Sequence, residues 1–294
     1  MAESIYGAGT APLAIAHRGG AGLAAENTLE AFGRSYALGV RYLETDVRVT
    51  ADGACVAFHD AALRRVTGRR GMVRAATRRE LAGFGVPTLD EVIVAYPDAC
   101  FTVDAKEGSA VAPLARTLRA TNAAHRVCVA GAWDGWLAGV RDEVGPALTT
   151  ALGWRALSTL VAGIPGGTFG GEASARRHDM ITCGFRTSDG ARSAGDQGSG
   201  TAPPGGGDTT TTAGRFAHVP SRVVQVLGAR LVARAHALGV RIIVWTVNDP
   251  AEMHRLLDLG MDGIITDRPD LLREVLVARD QWVAPSPTTS ERAS

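Results

Sequence analysis

The sequence has almost no lysine. Of its 31 basic residues 30 are arginine, and the one ammonium in the chain belongs to Lys106. Such a bias reads as a coding preference of the source, and it singles out the one position that escapes it. Net charge is also nearly absent, at +1, so nothing in the composition draws the chain towards nucleic acid. No run of about 18 apolar residues occurs, which excludes a membrane span and with it stable membrane insertion. The opening MAESIYGAGTAPLAIAHRGG lacks a basic stretch followed by an apolar one, so no secretory signal is read and a cytoplasmic protein is expected. Cysteine is sparse: Cys55, Cys100, Cys128 and Cys183 are far apart and form no CxxC, which argues against a zinc site or a disulfide framework. Three of the four lie in apolar runs, where cysteine acts as a small buried hydrophobe. What is present is 294 residues with 46% apolar content, a soluble globular composition.

Along the chain, strand and helix patterns alternate. LAIAH (13–17) is a short apolar run ending on His17, and Asn27-Thr28-Leu29-Glu30 resembles a capping box opening a helix that stops at Gly39. VRYLETDV (40–47) reads as a strand, Asp52-Gly53 as a hairpin turn and ACVAFH (54–59) as the return strand. Thr77–Glu80 and Thr88–Glu91 are further capping boxes. CFTVDAK (100–106), RVCVAG (126–131), ALTTAL (147–152), a short run near Met180–Cys183, VRIIVWTV (240–247) and GIITD (263–267) complete the strands, with helices between them. The stretch 186–214, with GSGTAPPGGGDTTTTAG, is too poor in apolar residues to order itself and is expected as a flexible insertion. The expected organisation is a disordered tail over 1–12, one (β/α)8 TIM barrel over 13–280 with a small cap segment at 60–99, and a disordered tail over 281–294. An open doubly wound sheet would want GxGxxG after its first strand, and HRGGAG (17–22) is not that.

A barrel of this kind works at the C-terminal ends of its strands. Standing there are His17, Arg18, Glu44, Asp46, His59, Asp104, Lys106 and Trp245. Residues two apart on a strand share a face, so Glu44 with Asp46, and Asp104 with Lys106, point into the mouth. Three carboxylates crowded together repel, and a divalent cation with oxygen ligands, Mg2+ or Ca2+, is the economical compensation. The two histidines are then free for acid–base work, and Arg18 and Lys106 suit the mouth to a phosphate.

HRG at 17–19 with Glu26-Asn27-Thr28, ExD at 44–46, His59-Asp60, VDAK at 103–106, VWTVND and DGIITDRP together resemble the glycerophosphodiester phosphodiesterase family over roughly 13–160 and 216–278. The resemblance implies a TIM barrel that hydrolyses small-molecule glycerophosphodiesters to sn-glycerol 3-phosphate and an alcohol with a divalent metal. It implies His17 and His59 as the acid–base pair, Glu44 and Asp46 as metal ligands, and Arg18 and Lys106 as phosphate-binding cations. Asp104, expected as the third ligand, stands where many members carry Glu, one methylene longer, which bears on metal affinity rather than on the chemistry. Glu26 reads as part of the mouth, and Trp245 as an apolar wall for the glycerol or alcohol against the alternative of core filling. His17 is taken as the base and His59 as the acid, with water or a glycerol hydroxyl as the nucleophile.

The bland readings belong beside these. His125, His178, His236 and His254 lie away from strand ends and read as structural, while His218 is nearer to one. Asn248 has a helix-cap reading as good as a functional one. The seven arginines of LRRVTGRRGMVRAATRR (63–79) read as a solvated surface, with steering of anionic substrates as the alternative. Two other functions compete: a lysophospholipase D-like activity, which would want an apolar apron that the sequence does not show, and a non-catalytic phosphate-binding barrel. The alcohol group and the oligomeric state are not legible.

Overall fold

The computed structural model describes residues 3–164 and 213–284. Nine strands follow one another as β1 (Leu13–Ala16), β2 (Tyr42–Val49), β3 (Cys55–Ala57), β4 (Cys100–Ala105), β5 (Val127–Gly131), β6 (Thr149–Ala151), β7 (Ala213–Pro220), β8 (Arg241–Trp245) and β9 (Gly263–Thr266). Eight of them, all but β3, pair in parallel in the order β1-β9-β8-β7-β6-β5-β4-β2, and β1 pairs with β2 to close the ring. The fold is a (β/α)8 TIM barrel. The expected strand at Met180–Cys183 and residues 186–212 of the expected insertion at 186–214 lie outside the described residues; Ala213 and Gly214, placed in that insertion, instead open β7, the strand before β8.

β2 is longer than the ring needs. Its first residues, Tyr42 and Leu43, close the barrel against β1, and its last, Val47 to Val49, pair antiparallel with β3. The chain rises past the rim, turns at Asp52-Gly53 and comes back, so that the Phe58 backbone N–H donates to the Asp46 carbonyl at 2.9 Å. This return sets His59 beside the mouth although it does not end a ring strand.

Alternation sorts the side chains of each strand. Leu43, Val47, Phe101, Val103, Val127 and Val129 pack under one arc of helices, and Ala217, Val219, Ile242, Val244 and Ile264 under the other. Leu13, Ile15, Cys100, Cys128, Phe216, Ile243 and Ile265 fill the interior. Cys55, Cys100 and Cys128 are free and buried, as their apolar settings predict.

Where a disordered N-terminal tail is expected, residues 3–12 are bonded to the barrel. Tyr6 is buried in the interior cluster, its ring edge-on to Tyr42 at 5.4 Å and to Phe216 at 5.2 Å. Its hydroxyl meets Thr102 Oγ1 at 2.6 Å, and Arg241 Nη1 donates to the Gly7 carbonyl at 2.8 Å. A lone aromatic among small residues carries no periodicity, so the sequence gives no sign of this plug. At the other end of the chain Trp282 packs on the barrel, and residues 285–294 lie outside the described residues.

The caps form largely as expected. Thr77–Glu80 and Thr88–Glu91 are reciprocal capping boxes. Thr28 accepts from the Ala31 backbone N–H, but Ala31 stands where a box needs an acid, so Glu30 takes no part in it. Within 60–99, Leu63, Val73, Ala76, Leu81 and Val86 pack with Val56 and Phe58 as a small separate cluster. The helix Leu89–Ala95 packs instead on the barrel through Leu89, Val92 and Ile93.

Candidate active site

The site begins where β1 ends. The chain turns sharply through His17-Arg18-Gly19-Gly20, with φ of 51° at Arg18, 80° at Gly19 and 102° at Gly20. A Cβ on Gly19 would stand 2.8 Å from the Phe32 ring and one on Gly20 2.4 Å from Ser35 Oγ, so both positions need glycine for space as well as for φ. The turn aims the Arg18 backbone N–H at Glu44, donating to Oε2 at 2.7 Å, and the Arg18 side chain at Glu26 Oε1, 3.1 Å away. Arg18 Nε lies 3.4 Å from Asp46 Oδ2 and makes no hydrogen bond among the described residues.

β2 supplies the acids. Glu44 is 5% exposed and Asp46 1%, both facing inward as their spacing predicts. Asp46 is in register with Asp104 on β4. Two carboxylates side by side on adjacent strands repel, and Lys106 answers that repulsion. Its ammonium lies 2.8 Å from Asp46 Oδ1 and 2.6 Å from Asp104 Oδ2. Asn27 adds a hydrogen bond to Asp46 Oδ2 at 3.1 Å while accepting from Thr45 Oγ1 at 2.9 Å.

The charges divide unequally. Burial pushes the Asp46 carboxyl up, but Lys106, His59 and Arg18 outweigh it and hold it well below the usual carboxylate range. Burial likewise pushes Lys106 down, and its two carboxylates more than restore the charge. Glu44 has no such partner. Burial and the Asp46 charge beside it push its carboxyl up to about 7, against the weaker pull of His17 and Lys106.

The two histidines are mounted alike. His17 Nδ1 lies 2.7 Å from Asp267 Oδ1 and His59 Nδ1 lies 2.7 Å from Asp60 Oδ1, so each ring donates from Nδ1 and keeps Nε2 for chemistry. Arg48 Nε also holds the His59 carbonyl at 2.8 Å. Their environments differ. Burial lowers His17, but the Asp267 hydrogen bond and the Glu44 charge outweigh it, and the imidazole binds its proton more tightly than usual. Burial, with Lys106 and Arg18 near by, leaves His59 below its ordinary value despite Asp46 and Asp60.

Of the nine residues singled out from sequence, eight form one linked group. Arg18 touches Glu44, Asp46 and Glu26; Lys106 touches Asp46 and Asp104; His17 and His59 act electrostatically on Glu44 and Asp46. The ninth, Trp245, ends β8 and packs half-buried against the interior cluster. Among the described residues no three His, Cys, Asp or Glu side chains are arranged to hold an ion together, and Lys106 bridges Asp46 and Asp104. The donor chemistry of Glu44 and Asp46 nonetheless fits a divalent cation: two buried carboxylates, one of them short of positive charge.

Several working residues escaped the sequence reading. Asp267 and Asp60 orient the histidines, Asn27 braces Asp46, and Arg65 clamps Glu26 with two bonds of 2.7 Å and Asp60 with one of 2.6 Å. All but Arg65 lie within quoted motifs, and for Asp60 and Asp267 the signal was an acid next to a histidine or at a strand end. Asn248 is no helix cap, since Asp249 takes that role; it donates to Asp267 Oδ2 at 2.7 Å. His236 pairs with Asp262 and His254 with Arg279, away from the mouth, and His178 lies outside the described residues.

The sequence matches the model of the Glycerophosphoryl diester phosphodiesterase family over residues 17–160 and 203–271. A Mycobacterium tuberculosis protein named probable glycerophosphodiester phosphodiesterase 2 is 32% identical over 280 residues, covering 92% of each chain. Among solved structures, an Oleispira antarctica phosphodiesterase in complex with the product sn-glycerol-3-phosphate has a TM-score of 0.62 at 20% identity, covering 91% of this chain and 97% of that one. A glycerophosphodiester phosphodiesterase from Thermotoga maritima has a TM-score of 0.61 at 22% identity, covering 90% and 98%. At such identities these two speak for the fold.

Proposed function

The chain belongs to the glycerophosphoryl diester phosphodiesterase family, and from that membership we propose that it hydrolyses glycerophosphodiesters to sn-glycerol 3-phosphate and an alcohol by paired histidine catalysis. What supports this most is the mounting of His17 and His59: two imidazoles, each tied by Nδ1 to its own carboxylate, beside Arg18 and Lys106. Arg18 and Lys106 neutralise the phosphate, whose negative charge grows in the transition state. The nucleophilic oxygen, from water or a neighbouring glycerol hydroxyl, bonds to phosphorus and gives its proton to one Nε2. The P–O bond to the alcohol breaks, and the leaving oxygen takes a proton from the other; where the glycerol hydroxyl attacks, the product is a cyclic phosphate, which water then opens to sn-glycerol 3-phosphate. The opposite leanings of the two rings favour His59 as the acceptor and His17 as the donor, the reverse of the order assigned from sequence. Glu44 and Asp46 would hold a divalent cation, with Asp104 facing the same mouth. When bound, the ion supplies charge stabilisation to the phosphoryl oxygens. Trp245 lines the wall that takes the glycerol or the alcohol.

The test is a panel of glycerophosphocholine, glycerophosphoethanolamine, glycerophosphoglycerol and lysophospholipids, with and without EDTA. Release of glycerol 3-phosphate that EDTA abolishes is the expected result. Turnover of lysophospholipids alone, or binding without turnover, would replace this reading with one of its two competitors.

A further inference from the structure

One titratable group near the mouth has no role in this scheme. His218 lies on β7, two residues beyond Phe216, whose ring belongs to the barrel interior, so by alternation its imidazole also points inward and nearer the mouth. Its Nε2 is buried and has no hydrogen-bond partner among the described residues. Burial drives the ring down to about 4 against the opposing pull of Asp104, so it is neutral in working conditions. Buried polar atoms in folded proteins nearly always have partners, in protein, water or ligand, and one facing a substrate mouth is placed to take its partner from a ligand.

The ring order says which part of the ligand. β7 is four strands from β2, straight across the barrel from Glu44 and Asp46, and next to β8, which ends on Trp245. The cations that suit phosphate, Arg18 and Lys106, follow β1 and β4. A neutral imidazole on the strand next to the one that ends on Trp245, three strands round the ring from β1 and from β4, offers no charge to a phosphate but a good hydrogen bond to a hydroxyl. We propose that His218 is a specificity-determining residue that hydrogen-bonds a free hydroxyl of the glycerol moiety through Nε2. The proposal deepens the function above and rests on it.

Two substrates and two variants test it. His218→Leu is expected to lower kcat/KM for glycerophosphocholine by about 10- to 100-fold, the range for leaving a buried hydroxyl unpaired. On bis(p-nitrophenyl) phosphate, a diester without glycerol, it should change little, within about twofold, and His218→Asn, which keeps a polar side chain, should recover part of the loss. The Tm of His218→Leu should be equal to or above that of the wild type, because Nε2 gives up no bond in the free protein. Equal losses on both diesters, no loss on glycerophosphocholine, or a fall in Tm would each overturn the role. Calorimetry keeps the two readings apart. The wild type should bind sn-glycerol 3-phosphate more tightly than inorganic phosphate, and His218→Leu should erase that difference even if turnover is absent. No preference in the wild type sinks the inference, whereas preference without turnover sinks only the catalytic reading.

Discussion

Replacing Lys106 with Met would leave two inward-facing carboxylates without their shared counter-charge. The Lys106 side chain is 9% exposed, that of Asp46 1% and that of Asp104 24%, so water can compensate Asp104 in part and Asp46 hardly at all. Breaking a buried ion pair by removing one partner costs about 3–5 kcal/mol. For a domain of this size each kcal/mol lowers Tm by about 2–4 °C, so Lys106→Met should melt about 6–20 °C below the wild type at pH 7. Screening at Asp104 favours the lower part of that range. Lys106→Arg should fall between the two. A guanidinium is planar and broad, whereas oxygens at 2.6 and 2.8 Å fit a compact ammonium. The decisive measurement is a double-mutant cycle by urea unfolding. Lys106→Met in an Asp104→Asn background should cost less than in the wild type, with a coupling of about 1 kcal/mol or more. Additive losses, or a single-mutant loss under about 1 kcal/mol, would refute the argument that this lysine is retained to hold two acids together.

Three further outcomes are expected. Asp267→Asn removes the carboxylate charge that helps to keep His17 protonated, so the alkaline limb of the kcat/KM–pH profile should move to lower pH while the acid limb, set by His59, stays in place; an unmoved alkaline limb rejects His17 as the proton donor. Glu44 is raised from 4.5 to about 7 in the folded state, so wild-type stability should fall as pH rises through that interval. In EDTA, Glu44→Gln should therefore gain Tm over the wild type up to about pH 7 and hold the gain above it. Mg2+ or Ca2+ at pH 8 should raise the wild-type Tm and not that of the variant, and identical curves for the two proteins would remove Glu44 from the ion site. Neutralising the exposed Arg69 and Arg70 should flatten the salt dependence of kcat/KM if the cap steers anions, and an already flat wild-type response disposes of steering.

What could be read in the sequence was what short-range pattern encodes. Period-two spacing put Glu44 with Asp46 and Asp104 with Lys106 on one face, and both pairs point inward. Strand–helix alternation gave the barrel. Two kinds of feature stayed hidden. Pairings across the ring, such as Asp267 with His17 over 250 positions, depend on closure and leave no local mark. Side chains with no periodic context, Tyr6 among alanines and glycines and Arg65 among six other arginines, look interchangeable until their partners are known. The strand with His218 was blurred because it follows directly on the Thr- and Gly-rich stretch, whose composition masks a beginning.

Arg65 joins two parts of the molecule that could otherwise fail separately. It sits on a four-residue helix of the cap, half in solvent, and grips Glu26 behind Arg18 and Asp60 behind His59. The little lobe carrying it has seven buried side chains to hold it in place, against several times that number beneath the rest of the chain. Gentle warming should loosen that lobe first and set the imidazole of His59 adrift while the ring of strands is still whole. Thermal inactivation would then run ahead of melting, and such a protein falls silent before it comes apart.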